Sequence, residues 1–257
     1  MLTFNACKNG QAEISESDTT TVKTLPEGHK DFIAKFYPGV VDANQEIMLQ
    51  RAKILDLRND YAHVVRRGIK IKWLNDLAEE YRFSDDFFNN SLSRSEYKSR
   101  IDSMLWRVDK IPAKLVIAQA IIESGWGKSG FARNYNNYFG IHCYTPGCGP
   151  APSGVENPKF YVKSFPSIED CVEEYLWLLN TGFAYEGLRR QRHELREEDR
   201  FPDALEMAKG LTRYSVKGSE YIEMVHTIIN NYLPPNLEAF VALQQNRQQT
   251  SAGTPGV

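Results

Sequence analysis

Glu123 is the only charge between Lys114 and Lys128, and it follows an apolar run of Leu115, Val116, Ile117, Ala118, Ala120, Ile121 and Ile122. A carboxyl group at the end of a buried helix is disfavoured in its charged form by desolvation and by the negative end of the helix dipole. That is what a general acid working near neutral pH requires. The plainer reading is a glutamate that exits to solvent or pairs with Arg133, and position alone does not decide between them. The residues that follow favour the acid. Trp126, Phe131, Tyr135, Tyr138 and Phe139 are interleaved with Asn134, Asn136, Asn137 and several glycines. Aromatic faces beside amide donors and acceptors suit a sugar, which offers C–H faces and many hydroxyls. Trp126, Asn137 and Tyr138 are the candidate sugar contacts, with Trp126 as the platform on a glycine-flanked turn. Phe131 and Phe139 are expected in the core.

The elements that position these residues are mostly helices. Pro112 suits a first helical turn and Gly125 a left-handed stop, so a buried helix is predicted between them. A helical region starts near Lys30, with Ile47, Ala52, Ile54 and Tyr61 at near-helical spacing, and Trp73, Leu74, Leu77, Ala78 and Tyr81 repeat the pattern. This half of the chain carries no catalytic motif and is expected to brace the domain or to shape a cleft wall. Ser95 to about Trp106 reads as another helix. Residues 159–165 alternate like a strand, which implies a short hairpin. Ser167 is a helix N-cap and Gly182 a stop for the helix bearing Cys171, whose thiol is expected in the core. Two further helices are predicted near 202–209 and 219–232, the second stopped by Pro234 and Pro235. The fold class is α+β and helix-dominated, with a small β-hairpin and an N-terminal helical extension.

The formal net charge is −2, so nothing points to a nucleic-acid partner, which needs a concentrated basic surface. The arginine-rich run 189–200 also carries Glu194, Glu197, Glu198 and Asp199, and it reads as a solvated helix face. No apolar stretch is long enough to span a bilayer. Residues 1–28 are read as a flexible segment. Within it an alanine before Cys7 looks like the end of a lipoprotein signal, which makes a lipid anchor at Cys7 in the native precursor an expectation. From about Gln244 the polar composition reads as a disordered tail.

A resemblance draws these pieces together. Ala118-Gln-Ala-Ile-Ile-Glu-Ser-Gly-Trp-Gly127, followed by Asn136-Asn-Tyr-Phe-Gly-Ile141, resembles the glucosaminidases of glycoside hydrolase family 73, which act on peptidoglycan. Residues 160–165, running into the Ser167 helix, are similar to that family's hairpin-to-helix segment, and Tyr214-Ser-Val-Lys-Gly-Ser-Glu-Tyr221 is similar to its C-terminal tyrosine motif. The cysteines after Phe-Gly-Ile and the Lys-Gly spacing after Tyr214 look most like the Bax-type subgroup. The resemblance covers roughly residues 90–235. It implies a lysozyme-like fold and cleavage of the β-1,4 bond between N-acetylglucosamine and N-acetylmuramic acid, without a cofactor, in the bacterial envelope. It maps the general acid onto Glu123 and the active-site tyrosine onto Tyr214, and it brings Tyr221 into the substrate site. For a second carboxylate Glu156 is the nearest match. The hairpin departs from the family pattern in its prolines, and Glu169 and Asp170 are alternatives that equally suit a helix first turn. A lytic transglycosylase, a muramidase and an inactive glycan-binding protein are the competing readings.

The organisation expected is therefore a flexible segment at 1–28, a helical extension at 29–90, a catalytic domain at 91–235 and a tail at 236–257, in a chain that acts as a monomer. No metal is expected, because the histidines form no His-Glu-x-x-His pattern. Cys143 and Cys148 enclose Pro146-Gly147 and read as a disulfide closing a tight loop. A zinc site would need a further ligand pair.

Overall fold

The computed structural model describes residues 25–152, 157–212 and 218–252. Its helices are α1 (Glu27–Leu57), α2 (Ile71–Glu80), α3 (Arg94–Arg107), α4 (Ala113–Ser124), α5 (Gly130–Tyr135), α6 (Ile168–Thr181), α7 (Glu186–Glu197), α8 (Ala204–Ala208), α9 (Ser219–Tyr232) and α10 (Leu237–Ala252). Between α5 and α6 a minimal hairpin pairs β1 (His142–Cys143) antiparallel to β2 (Tyr161–Val162), with His142 opposite Val162. The helix-dominated α+β class read from the sequence is what the chain adopts. The strand expected over 159–165 is only its central part.

The core is continuous from α1 to α10. At its centre α4 buries Leu115, Val116, Ile117, Ala118, Ala120 and Ile121, with each Leu, Val or Ile side chain contributing about 1.5–3 kcal/mol. Pro112 precedes its first turn and Gly125 follows its last at φ 58°, a conformation that costs glycine little. Against α4 pack α1 and α9, while α1 also lies along α3, α6 and α10. The N-terminal helix is thus part of the same core as the predicted catalytic segment, through Ile33, Phe36, Val40 and Ile54.

Two sequence readings are overturned here. Residues 244–252, read as the start of a disordered tail, belong instead to α10, which buries Leu237, Phe240, Val241 and Gln244. Those positions recur at i, i+3, i+4 and i+7, a buried stripe of three apolar residues and Gln244 hidden by the polar residues around it.

The arginine-rich run is not simply a solvated face either. In α7, Arg189 and Arg192 are buried, and Arg192 is only 1% exposed. Arg192 and Arg196 converge with Arg51 of α1 on the buried Asp109. Arg196 holds that carboxylate with two hydrogen bonds of 3.0 and 2.8 Å. The other guanidinium groups cap carbonyls around the C-terminal end of α3. Arg51 donates to Leu105 and Val108, and Arg192 to Trp106, Arg107 and Asp109. These contacts satisfy carbonyls a helix end leaves open and put positive charge at its negative pole. Burial would raise the Asp109 carboxyl, but the Arg196 hydrogen bonds and the Arg192 and Arg51 charges hold it below its ordinary value. Burial also pushes Arg192 down to about 10, which leaves it charged at neutral pH. Since residues 108–112 lead into α4, this cluster fixes where the helix bearing Glu123 begins.

Candidate active site

The Glu-Ser-Gly-Trp-Gly sequence builds the end of α4. Ser124 is buried, donates its hydroxyl to the Ala120 carbonyl at 2.6 Å and accepts from the Gly127 amide at 2.8 Å. The chain then turns through Gly125, Trp126 and Gly127, all at positive φ. Glu123, one residue earlier, emerges from the buried helix into an exposed position. The apolar run lies on the core side of α4, while Glu123 faces out.

What Glu123 does receive is a phenol. Tyr221 of α9 is 3% exposed, and its hydroxyl donates to Glu123 Oε1 at 3.1 Å. Gln119 lies one turn earlier on α4 and is fully buried. Its amide donates to the same tyrosine oxygen at 3.3 Å. The helical spacing of Gln119 and Glu123 therefore lets a single phenol bridge both. One carboxyl oxygen of Glu123 is oriented by this chain, which places Tyr221 beside the candidate acid. Tyr221→Phe is expected to keep its fold and to lower kcat by about 10–10²-fold with KM little changed, because a hydrogen bond to a charged group contributes about 1.5–3 kcal/mol. Steady-state kinetics on peptidoglycan, with a melting curve for each protein, is the check.

A second phenol was not legible in the sequence. Tyr185 ends a 3-10 turn, Phe183–Tyr185, between α6 and α7. Burial and then the nearby Glu123 charge push its hydroxyl up to about 12. Gly182 makes room for it, since a Cβ there would lie 2.9 Å from the Tyr185 ring. Nothing in the spacing of residues 182–185 signals this approach.

Among the expected sugar contacts, Trp126 is half-buried beside Glu123. Asn137 is 2% exposed, and its amide is taken up by backbone. It donates to Ile141 and Lys163 at 2.8 Å and accepts from the Ile141 amide at 2.9 Å. It is a latch between the loop and the hairpin, and so not the sugar contact expected of it. Asn136 ties the same loop to Phe165 and Pro166. Tyr138 is also core rather than cleft, with its ring set edge-on to Phe36 at 4.8 Å. Phe139 is buried and stacks on Tyr175, as expected, whereas Phe131 is 40% exposed on the short α5. Asp170 and Ser167 cap α6, the role that a first-turn acid plainly suits. Tyr214 and Glu156 lie outside the described residues, as does Cys7.

Cys143 and Cys148 form the expected disulfide, with Cα atoms 6.3 Å apart. Its loop crosses β2 closely at Gly149, where a Cβ would meet the Val162 carbonyl at 1.8 Å, so only glycine fits. Cys171 is a buried thiol, which burial pushes up to about 12. Among the described residues no group of three His, Cys, Asp or Glu is placed to hold a metal ion, and no helix is long and apolar enough to cross a membrane.

Residues 101–234, which contain Glu123, Tyr221 and the hairpin, match the glucosaminidase family described as mannosyl-glycoprotein endo-beta-N-acetylglucosaminidase. The chain belongs to this glucosaminidase family. It is also 31% identical over 241 residues to Protein bax of Escherichia coli (strain K12), an alignment covering 92% of this chain and 77% of that protein. It is accordingly a Bax-type glucosaminidase-domain protein. No solved structure matches it. Membership of the family makes this a glycan hydrolase domain in general, and Glu123 and Tyr221 fall within the matched segment.

Proposed function

We propose that this chain hydrolyses the β-1,4 bond between N-acetylglucosamine and N-acetylmuramic acid in peptidoglycan, with Glu123 as general acid. The observation that carries the reading is the hydrogen bond from buried Tyr221 to Glu123, at the end of α4 in the family-matched segment. The Tyr221 hydrogen bond orients the Glu123 carboxyl, whose proton passes to the leaving glycosidic oxygen. A glycan strand lying over Glu123 displaces water from it and lowers the dielectric around it.

In this reading the sugar's own 2-acetamido oxygen attacks the anomeric carbon, so no protein nucleophile is needed. Tyr214, seven residues before Tyr221, orients that acetamide through its hydroxyl. Glu156 serves as a secondary carboxylate and Trp126 as a sugar platform. Tyr214→Phe is expected to cost at least about 10²-fold in kcat/KM, and Glu156→Gln distinctly less. The reverse order of effects would replace this route by a two-carboxylate one. The site of action is the cell envelope, with Cys7 as the point of a lipid anchor and the chain monomeric.

Digestion of purified peptidoglycan, followed by mass spectrometry of the fragments, tests the bond. Reducing N-acetylglucosamine ends are expected. Reducing N-acetylmuramic acid ends would mean a muramidase, anhydro-muramyl ends a lytic transglycosylase, and undigested glycan with retained binding an inactive glycan-binding protein.

A further inference from the structure

The turn after Glu123 is held from outside the family-matched segment. Gly125, Trp126 and Gly127 occupy the left-handed region at φ 58°, 59° and 71°. Glycine adopts this freely, but for a bulky residue it is a strained conformation that persists only where the surroundings over-determine it. Hydrogen bonds of the turn provide part of the restraint: the Trp126 amide donates to Ile121 and the Ser129 amide to Ser124. The remainder comes from rings. His29 of α1 lies flat on the Trp126 indole, with centroids 3.7 Å apart and planes 1° from parallel. Phe32 of α1 meets the indole edge-on at 5.8 Å, and Tyr232 of α9 does so at 6.1 Å. Phe32 also sits 3.3 Å from the place a Cβ on Gly127 would occupy, so α1 touches the turn itself.

We infer that His29 is a positioning residue, whose stacked imidazole fixes Trp126 in the left-handed turn and thereby sets the sugar-binding wall beside Glu123. The inference rests on the reading of Glu123 and Trp126 as the glycan site. His29 and Phe32 both precede residue 101, so the helical extension contributes to the site as well as to the core. A neutral imidazole suits the position. Its Nδ1 is buried without a hydrogen-bond partner, and burial and then the Lys128 charge hold the ring below its ordinary value. Other charges close by in the chain are Glu27 and Lys30 on α1, which pair with each other at 2.9 Å, and the exposed Asp31. Protonation puts a second positive charge beside Lys128 and desolvates it. The contribution of the neutral ring is therefore complete above the ordinary histidine value of about 6.5 and is lost only as pH falls through the ring's lowered folded value.

Wild type, His29→Ala and His29→Phe are to be compared on peptidoglycan and by near-UV circular dichroism, with Trp126→Phe identifying the Trp126 signal. His29→Ala is expected to raise KM by about 3–10-fold, the scale of one aromatic contact, with kcat changed less, and to lose most of the Trp126 signal. His29→Phe restores both, because a flat ring replaces a flat ring. In wild type the Trp126 signal falls with a midpoint lower than the ordinary histidine value of about 6.5, and in His29→Phe it does not. KM within twofold of wild type and an unchanged Trp126 signal in His29→Ala would overturn the inference. So would failure of His29→Phe to restore the signal, and so would a pH response common to both proteins. Should His29→Ala not fold, the pH comparison of wild type with His29→Phe decides alone. A wild type inactive on peptidoglycan would sink the functional reading, while the spectroscopic comparison still tests the positioning.

Discussion

Glu123→Gln is expected to give a folded protein whose cleavage of peptidoglycan is slower by about 10²–10⁴-fold, the usual contribution of a general acid. The amide keeps the shape of the side chain and still accepts a hydrogen bond from Tyr221 through its carbonyl oxygen. Only the transferable proton is lost. Glu123 is exposed and packs no core, so the melting temperature is expected to stay close to that of wild type. The measurement is the rate of release of reducing ends at matched protein concentration. Activity within tenfold of wild type would remove Glu123 from the mechanism, whatever the other variants do.

The largest effect on stability is expected at Asp109, which takes no part in the proposed chemistry. Asp109→Ala leaves Arg192 fully buried, and Arg51 and Arg196 partly so, without their shared anion. Breaking one side of a buried ion pair typically costs about 3–5 kcal/mol, because a buried charge is left uncompensated. Urea denaturation of the two proteins checks this, and a loss below about 1 kcal/mol would show that water or backbone carbonyls satisfy the arginines unaided. The pH dependence has a definite sign. Since its neighbours hold the Asp109 carboxyl below its ordinary value, its contribution is complete above the usual aspartate range and is lost as pH falls through the lowered folded value.

The two predictions also mark where sequence reasoning succeeds and where it stops. The α4 helix was legible because local rules agree there: Pro112 before the start, Gly125 at the stop, and apolar residues almost all round. That Glu123 is exposed was not, since a run of apolar residues does not tell which side of the last turn faces out. Composition misled at α7 and α10. Arg189, Arg192 and Arg196 lie at i, i+3 and i+7, but charge at helical spacing ordinarily marks a solvated face, and only the fold shows Asp109 and the carbonyls that pair them. In α10 the apolar positions were outweighed by glutamines. Asn137 was read as a sugar contact because an amide beside aromatics suits a glycan, yet in the fold its capacity goes to the hairpin backbone. Tyr221 was legible only through the tyrosine motif, and its bond to Glu123 only in the fold.

The packing of α10 on α1 gives the molecule an order of assembly. The two helices stand at opposite ends of the described chain, so their contact is among the longest-range in the fold and forms late. At about 5–20 residues per second of synthesis, α1 waits on the order of ten seconds after it is made before α10 exists to cover it. Through that interval Phe32 and His29, which hold the turn beside Glu123, belong to a helix still lacking its final neighbour. A site that needs α1 in place is thereby completed last, after the whole described chain has been made.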